Sequence, residues 1–478
     1  MSRPSAISTF PLRPVAAALV AAIGLVPLDA LAVKTVINCN DAGAGSLRQA
    51  VHDAAEGELV DATQLACSKI TLTTGYILAG QASLTIDGPG ADKLTIDGLN
   101  DTKGRYPVFV HAGSGGTIEI DHLTIANGDF YLNSDTKYIG GGCIFSQGSV
   151  TLKHAVLSGC KMTAGPKSKG RGGAIFANDN VTLVDSTVTG NAVYAPVSNL
   201  GIEPSYGGAV FTSDGVITLD HSMVSENRAG FGGGIYSKGT IGVYDSTISG
   251  NYARKGGGFY CRCGFRLARS TISGNDGLRF GGLVLRPPTV SQAKSTYFSN
   301  STISGNTNSD KTAPPLVIEV PITISYSTIA FNSGPPDAVH GALYSGASSL
   351  NLVASIIAEN FPADVETNSG TLVTGSKNLS TNSLATMPGD TITTCPQLQP
   401  LADNGGPTWT HALRHTSPAI DHGFPVVNVT TDQRGTGYPR SYGNSTDIGS
   451  FEWQGATVDD DIFHGRFDAV ADAKNCDT

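Results

Sequence analysis

The sequence is poor in several residue types that large helical proteins use. It has only 4 Met and 2 Trp among 478 residues, and only 15% of its residues are charged, whereas it has 59 Gly. Sequences rich in Gly, Ser, Thr and Asn favour short strands and turns over long helices. This composition argues against a helical bundle and predicts an all-β protein.

Long hydrophobic runs are absent after the N-terminal region. Residues 15–28 form an apolar run that follows two arginines, Arg3 and Arg13. Ala30-Leu31-Ala32 then fits the small-x-small cleavage pattern, so residues 1–32 are predicted to be a secretory signal peptide. An uncleaved anchor is the alternative. We expect a secreted or cell-surface protein with no transmembrane segment after the signal is removed, and we expect a monomer.

The sequence also lacks an excess of positive charge. Removal of residues 1–32 takes away 2 of 31 basic and 1 of 40 acidic residues, which leaves a net charge of −10. A chain of this charge is not expected to bind nucleic acid or anionic membrane surfaces in general.

The eight cysteines follow the predicted signal peptide in an even number, which favours disulfides. They are Cys39, Cys67, Cys143, Cys160, Cys261, Cys263, Cys395 and Cys476. Cys39 and Cys67 are the best single pairing because both lie in the short N-terminal region. Cys261-Arg262-Cys263 lacks the second pair that a zinc site would need.

Two signals repeat from about residue 120 onward. One is Ser-Thr-Ile-Ser-Gly-Asn, whose closing asparagines recur every 24 to 36 residues between Asn191 and Asn360. The other is Gly-Gly-x followed by an aliphatic or aromatic residue, from Gly141 to Val284. Apolar and polar residues alternate within each repeat, as they do in strands with one buried face. Stacking at about 4.8 Å would give three parallel sheets around one interior, a right-handed parallel β-helix.

Two polar columns have structural explanations. Identical amides stacked at the repeat spacing would form an asparagine ladder. The residue before the repeated Ser varies but is often Asp, Asn or His, which tolerate a left-handed backbone. We interpret this column as a bend between two strands, with catalysis as the alternative. Its members are His122, His154, Asp185, His221, Asp245, Arg269, Asn300 and Tyr326.

The ends of the coil require caps because they would expose strand edges. Residues 46–55 predict a short helix with Ser46 as its N-cap, lying over the first turn. We expect 33–92 to form the N-terminal cap and first strands, 93–395 the repeats, 396–456 an irregular C-terminal cap, and 457–478 a flexible tail.

Residues 396–456 lose the repeat but contain Ser417-Pro418-Ala419-Ile420-Asp421, Asp432-Gln433-Arg434-Gly435 and Asp447-Ile448-Gly449-Ser450-Phe451-Glu452. These motifs resemble the choice-of-anchor C-terminal domain of bacterial β-helix surface proteins. The Gly-Gly-Ala-Ile repeats are similar to those of polymorphic outer-membrane proteins. The resemblance covers nearly the whole chain after residue 32 and implies a secreted or surface-displayed solenoid of the pectin-lyase-like type, with roles such as adhesion. It implies no reaction.

Four carboxylates of this C-terminal region, Asp421, Asp432, Asp447 and Glu452, predict a calcium site if they cluster, because Ca²⁺ takes several carboxylate oxygens. The alternative is a structural network in which Arg434 pairs with these carboxylates. No other cofactor is expected.

Basic and aromatic residues gather between the Asn and Gly-Gly columns, in segments that we interpret as loops on one side of the coil. Aromatic faces stack on sugars, and Lys and Arg bind carboxylates or sulfates. Solvated loop decoration is the alternative. The candidate substrate-binding residues are Arg171, Tyr206, Arg228, Phe231, Tyr252, Arg254, Lys255, Arg279 and Phe280.

Two functions fit this candidate surface. The first is a non-catalytic scaffold that binds an extracellular polymer. The basic residues of the surface favour an acidic polysaccharide as that polymer. The second is a polysaccharide lyase in which Arg254, Lys255 and Arg279 would neutralise a uronate carboxylate and remove the adjacent proton. The sequence has no nucleophile elbow, P-loop, dinucleotide fingerprint or HExxH motif that would define another enzyme class.

Overall fold

The computed structural model describes residues 33–99, 105–132, 140–165, 168–195, 197–198, 201–202, 205–288, 296–424 and 429–455. The predicted signal peptide, 1–32, and the predicted tail, 457–478, lie outside the described residues. Within the described ranges, no helix combines the length and apolar character needed to cross a membrane.

The chain winds as a right-handed parallel β-helix, which confirms the predicted fold. Each central turn passes through four parallel sheets, which we number in the order in which a single central turn meets them. The first sheet has thirteen strands. They are Val33–Thr35, Leu59–Asp61, Leu84–Asp87, Thr117–Asp121, Ser149–Lys153, Val181–Val184, Val216–Asp220, Thr240–Tyr244, Gly264–Ala268, Tyr297–Ser299, Ile322–Ser325, Ser349–Val353 and Leu372–Ser376.

The second sheet follows the first after a bend and has eleven strands. They are Lys69–Thr71, Thr95–Asp97, Thr124–Ala126, Val156–Ser158, Thr187–Thr189, Met223–Ser225, Thr247–Ser249, Thr271–Ser273, Thr302–Ser304, Thr328–Ala330 and Ile356–Ala358. The bend residues from His122 to Tyr326 have φ values between 44° and 49°. The interpretation of this column as a left-handed bend is therefore confirmed.

The third sheet was not predicted, and the segments interpreted as loops are in fact its strands. It has nine strands that connect the Asn column to the Gly-Gly column. They are Asp129–Leu132, Lys161–Ala164, Gly170–Arg171, Ala192–Tyr194, Ser205–Tyr206, Arg228–Phe231, Tyr252–Lys255, Asp276–Arg279 and Thr307–Asn308. The loop interpretation was wrong because small residues such as Ala229 and Ala253 face inward here, so the usual apolar alternation is weak.

The fourth sheet follows the Gly-Gly column and has eleven strands. They are Ile77–Ala79, Phe109–His111, Ile144–Ser146, Ile175–Ala177, Val210–Thr212, Ile235–Ser237, Phe259–Cys261, Leu283–Leu285, Leu316–Ile318, Leu343–Ser345 and Val365–Thr367. Two short antiparallel pairs lie outside the coil sheets, Val197–Ser198 with Gly201–Ile202, and Leu398–Ala402 with Thr410–Leu413.

The Gly-Gly column turns the chain from the third sheet into the fourth. Gly207 and Gly232 have φ values of 65° and 63°, which favour glycine. A Cβ on the next residue, Gly208, would collide with the carbonyl of Gly233 in the following turn. Phe280 takes the first glycine's place with φ 61°, so Leu283 and not Val284 pairs with Phe259 in the inward column. The Gly-Gly motif that ends at Val284 is therefore offset by one residue from the other repeats.

Asparagines 191, 227, 251, 275, 306, 332 and 360 form the predicted ladder. From Asn191 to Asn332, each side-chain Nδ2 donates to the Oδ1 of the next asparagine at 2.8–3.0 Å, and Asn360 donates to Asp364. Each backbone N–H donates to the same oxygen, for example Asn227 to Asn251 at 3.0 Å. From Asn191 to Asn332 the side chains are at most 1% exposed. Buried amides that satisfy one another in this way fix the spacing of successive turns.

The N-terminal helix spans Leu47–Asp53 and is capped as predicted, since the Ser46 hydroxyl accepts the N–H of Gln49 at 3.2 Å. It packs against the strands Ile77–Ala79 and Val33–Thr35 at the start of the coil. A disulfide joins Cys39 to Cys67, which confirms the predicted pairing.

The C-terminal segment after residue 396 lies along the side of the coil, against the outer face of the second sheet. Gln433 accepts the hydroxyl of Thr302 at 2.7 Å, and Ser450 donates its N–H to Thr328 at 3.1 Å. Leu398, Leu413 and Ile448 form a separate hydrophobic cluster with Ile356. The segment thus covers several turns laterally, whereas the sequence predicted only an end cap.

Candidate functional site

One column of side chains runs along the corner between the third and fourth sheets. It consists of Arg171, Tyr206, Phe231, Lys255 and Arg279, which pair directly from turn to turn. We call it the cation–aromatic column. All five side chains are half-buried, so each keeps part of its surface open to solvent. Phe280, a predicted binding residue, directly precedes Gly281-Gly282 in the sequence, but the register gives the column position to Arg279.

A second column of aromatic rings forms the floor beneath the cation–aromatic column. Its members project from the outer face of the fourth sheet and are buried. They are Phe145, Phe176, Phe211, Tyr236 and Tyr260. Successive ring centroids lie 5.4–5.7 Å apart. Sequence reasoning missed this floor, although an aromatic residue follows the inward apolar one in each of these Gly-Gly repeats.

The two columns pack together through aromatic contacts. The rings of Tyr206 and Phe231 are 5.4 Å apart, and Tyr206 lies 4.7 Å from Tyr236. Burial raises the pKa of Tyr236 to about 12. This phenol therefore stays neutral at any physiological pH. These contacts hold the column in a fixed geometry on its rigid floor.

Cations lie over the aromatic faces along the same corner. The Lys255 ammonium is 5.5 Å from the centre of the Phe231 ring, and the Arg171 guanidinium is 5.4 Å from that of Phe211. Such placements are favourable for the cation.

The surroundings of Lys255 disfavour its charged form. Burial lowers its pKa, and the positive charges of Arg279, Arg286 and Arg254 lower it further. Within the described part of the chain, no carboxylate forms an ion pair with it. Arg279, by contrast, pairs with Asp310, with 3.2 Å between Nε and a carboxylate oxygen. Lys255 is thus a concentrated positive charge with unused capacity for an anion.

The remaining predicted binding residues separate into two positions. Arg228, Tyr252 and Arg254 lie on the solvent face of the third sheet, where the Arg228 guanidinium lies 4.5 Å from the centre of the Tyr252 ring. Phe280 is buried at 8% exposure, with the Arg279 guanidinium 5.2 Å from its ring centre. Phe280 therefore supports Arg279 from below and is not available to a ligand.

The four C-terminal carboxylates are brought together, but their oxygens accept backbone N–H groups. Glu452 accepts from Tyr442 at 2.9 Å and Asp447 at 2.8 Å, while Asp421 accepts from Asn444 and Ser445.

The fourth carboxylate, Asp432, pairs with Arg434, whose Nη2 lies 2.7 Å from Oδ2. Burial raises the pKa of Glu452 to about 8 and that of Asp447 to about 6. Arg434 thus pairs with one of the four carboxylates, and its Nη2 also donates to the backbone carbonyl of Glu452. The calcium site stays a prediction.

The bend column brings together acidic and imidazole groups in two places. In the first, Asp121, His122 and His154 have ligand atoms within 4.8 Å of one another. In the second, Asp220, His221 and Asp245 do the same. A cavity of about 370 Å³ lies beside the second group and reaches Pro407 of the C-terminal segment.

The fold and these side chains define a class of molecule, a parallel β-helix that displays a half-exposed cationic and aromatic column along its length. No family model matches the chain, and no curated protein matches it. Among solved structures, it resembles one described as the crystal structure of pectate lyase Pel9A, with a TM-score of 0.42 and 12% sequence identity. The alignment covers 88% of this chain and 97% of that one.

Proposed function

We propose that the protein is an exported β-helix that binds an acidic extracellular polysaccharide along its cation–aromatic column. The observation that carries this proposal is Lys255, a half-exposed cation that lies over the ring of Phe231 and has no carboxylate partner in the described chain. Two arginines, Arg171 and Arg279, stand in the same column.

The length of the column suits a polymer better than a small molecule. Its five members belong to successive strands, so the column extends about 20 Å at a spacing of about 4.8 Å per turn. A chain lying parallel to the coil axis would meet one side chain in each turn. Sugar faces would pack on Tyr206 and Phe231, and carboxylates or sulfates would bind the cations.

Export is part of the proposal and is supported by the disulfides. Cys39–Cys67 and Cys143–Cys160 are bonded in the described chain, and disulfides persist in oxidising compartments outside the cytosol. A rigid, disulfide-bonded coil exposed to extracellular polymers would offer a preformed binding surface that loses little entropy on binding.

The experiment is a binding measurement on a panel of immobilised uronate, sulfated and neutral polysaccharides. We expect retention on the acidic polymers, weakened by salt, and loss of retention in Lys255→Ala. Lys93→Ala is the matched control, because it removes the same charge from an exposed site near the start of the coil. Equal retention of the Lys255 variant and wild type would refute the proposal.

Lyase activity is the second candidate, and the lowered pKa of Lys255 is the observation that favours it. A neutral Lys255 amine would take the C5 proton of a uronate held by Arg254 and Arg279. The freed electron pair would form the C4–C5 double bond as the C4–O bond breaks, and the departing oxygen would take up a proton. Ultraviolet absorbance of unsaturated products, present in wild type and lost in Lys255→Ala, would establish the reaction. Binding without such absorbance would exclude the lyase and support the non-catalytic binding function.

A further inference from the structure

The first group of the bend column has the composition and geometry of a transition-metal site. His122 and His154 occupy the same bend position in successive turns, and their rings lie parallel with centroids 4.5 Å apart. Both Nδ1 atoms face one oxygen of Asp121, at 2.9 Å from His122 and 3.1 Å from His154. The His122 Nδ1 is also 3.0 Å from Asp87.

These separations are close to those of ligands that share a tetrahedral zinc ion. Bonds of about 2.0–2.1 Å to imidazole nitrogen and carboxylate oxygen place neighbouring ligand atoms about 3.3 Å apart. Two imidazole nitrogens and a carboxylate oxygen suit Zn²⁺ better than Ca²⁺ or Mg²⁺, which prefer oxygen alone, and zinc sites with three protein ligands leave the fourth position to water. The rings must tilt toward each other to aim both nitrogens at one ion, and both side chains are nearly half exposed, at 45% and 49%.

We propose that Asp121, His122 and His154 bind one zinc ion that joins two successive turns of the coil. The strands Thr117–Asp121 and Ser149–Lys153 pair in the first sheet and supply or immediately precede the ligands, while Asp87 of the preceding turn contacts His122. The backbone fixes this arrangement, because His122 and His154 sit at left-handed bends with φ of 49° and 44°. The ion would therefore reinforce the N-terminal part of the coil.

The second group, Asp220, His221 and Asp245, shows why a similar composition is insufficient to form a zinc site. Both oxygens of Asp245 are taken by Arg269, whose Nε and Nη2 lie at 2.7 and 2.6 Å. His221 is left with Asp220 alone, at 2.8 Å. This turn has the same bend and a similar His-Asp pair, but it lacks the set of free ligands.

The test is calorimetric titration of tag-free protein with Zn²⁺, using His122→Asn and His154→Asn. Asparagine preserves the bend, since Asn300 occupies the equivalent position with φ 47°. We expect one site per chain and a weakening of at least about tenfold in each variant. His221→Asn is the matched control and should bind as wild type does.

A second readout is the thermal unfolding midpoint. Zn²⁺ should raise it in wild type and in His221→Asn but not in His122→Asn, because a ligand that binds the folded state stabilises it. The proposal is overturned if wild type has no saturable zinc site. It is equally overturned if His122→Asn and His154→Asn bind zinc as tightly as the control.

Discussion

The asparagine ladder and the cation–aromatic column both run continuously through successive turns, but they differ in residue composition and in burial. The ladder repeats one residue, and each Asn bonds to the next identical Asn in the interior. The cation–aromatic column changes residue type in nearly every turn and remains half exposed.

The difference shows what each column can contribute. Identical neighbours that satisfy each other's polar groups leave nothing for a ligand, so the ladder contributes to stability. Arg171, Tyr206, Phe231, Lys255 and Arg279 cannot form such a repeating bond. Their packing on a buried aromatic floor leaves cationic donors and ring faces toward solvent, so this column can contribute to binding.

The largest expected effect comes from breaking the ladder at its centre with Asn251→Leu. The Oδ1 of Asn251 accepts both the backbone N–H and one side-chain N–H of Asn227, and these two buried donors would lose their partner. We expect the free energy of unfolding to fall by about 3 kcal/mol, measured from the denaturant midpoint. Asn351→Leu, on the outer face of the first sheet, should change it by less than about 0.5 kcal/mol. Equal effects in the two variants would contradict a special role for the ladder.

The next effect is a pH dependence at the C-terminal segment. His411 accepts the Ser304 hydroxyl at 2.8 Å and donates to the Gln399 carbonyl at 2.7 Å, and burial lowers its pKa from 6.5 to about 4. The unfolded chain therefore binds more protons between these values, so stability is full above pH 6.5 and falls as pH drops toward 4. The loss amounts to at most about 3 kcal/mol.

The measurement is chemical unfolding across pH 4 to 7 in wild type and in His411→Gln, which keeps a donor and an acceptor. Wild type should lose stability more steeply, by about one proton, than the variant. Parallel curves for the two proteins would show that His411 does not titrate as its burial predicts.

Lys255→Ala should weaken binding and leave stability nearly unchanged, whereas Asn251→Leu should mainly lower stability. Removal of the ammonium from Phe231 takes away an anion-binding charge without opening the interior. We expect affinity for the acidic polymer to weaken about tenfold, or about 1.4 kcal/mol, while unfolding changes by less than about 0.5 kcal/mol. Isothermal titration and denaturant unfolding on the same preparation measure both. A large loss of stability with unchanged binding would place Lys255 among the structural residues.

The smallest effect is expected at the solvent face of the third sheet. Arg228 lies over Tyr252 and is exposed, so Arg228→Ala should weaken binding only about two- to fivefold. Arg228→Lys, which keeps the charge, should lose less in the same titration. A loss as large as that of Lys255→Ala would move the binding surface outward from the cation–aromatic column.

The sequence by itself determined the coil. Period-two alternation, the repeated Asn and the repeated Gly-Gly specify local geometry in each turn, and stacking multiplies the same signal along the chain. These repeats predicted the asparagine ladder and the left-handed bends. Local signals outside the repeats predicted the Ser46 cap and the Cys39–Cys67 disulfide. Each of these depends on residues whose spacing or conformational preference is visible in one dimension.

Only the tertiary structure decided how the columns meet. The third sheet was hidden because glycine and alanine replace the larger inward residues there. The aromatic floor was hidden because outward-facing rings become buried only when another sheet's side chains cover them. The pairing of Asp245 with Arg269, and the convergence of His122 and His154 on Asp121, depend on which side chains become neighbours between turns. Sequence spacing reports position along the chain, whereas charge pairing and burial depend on distance in space.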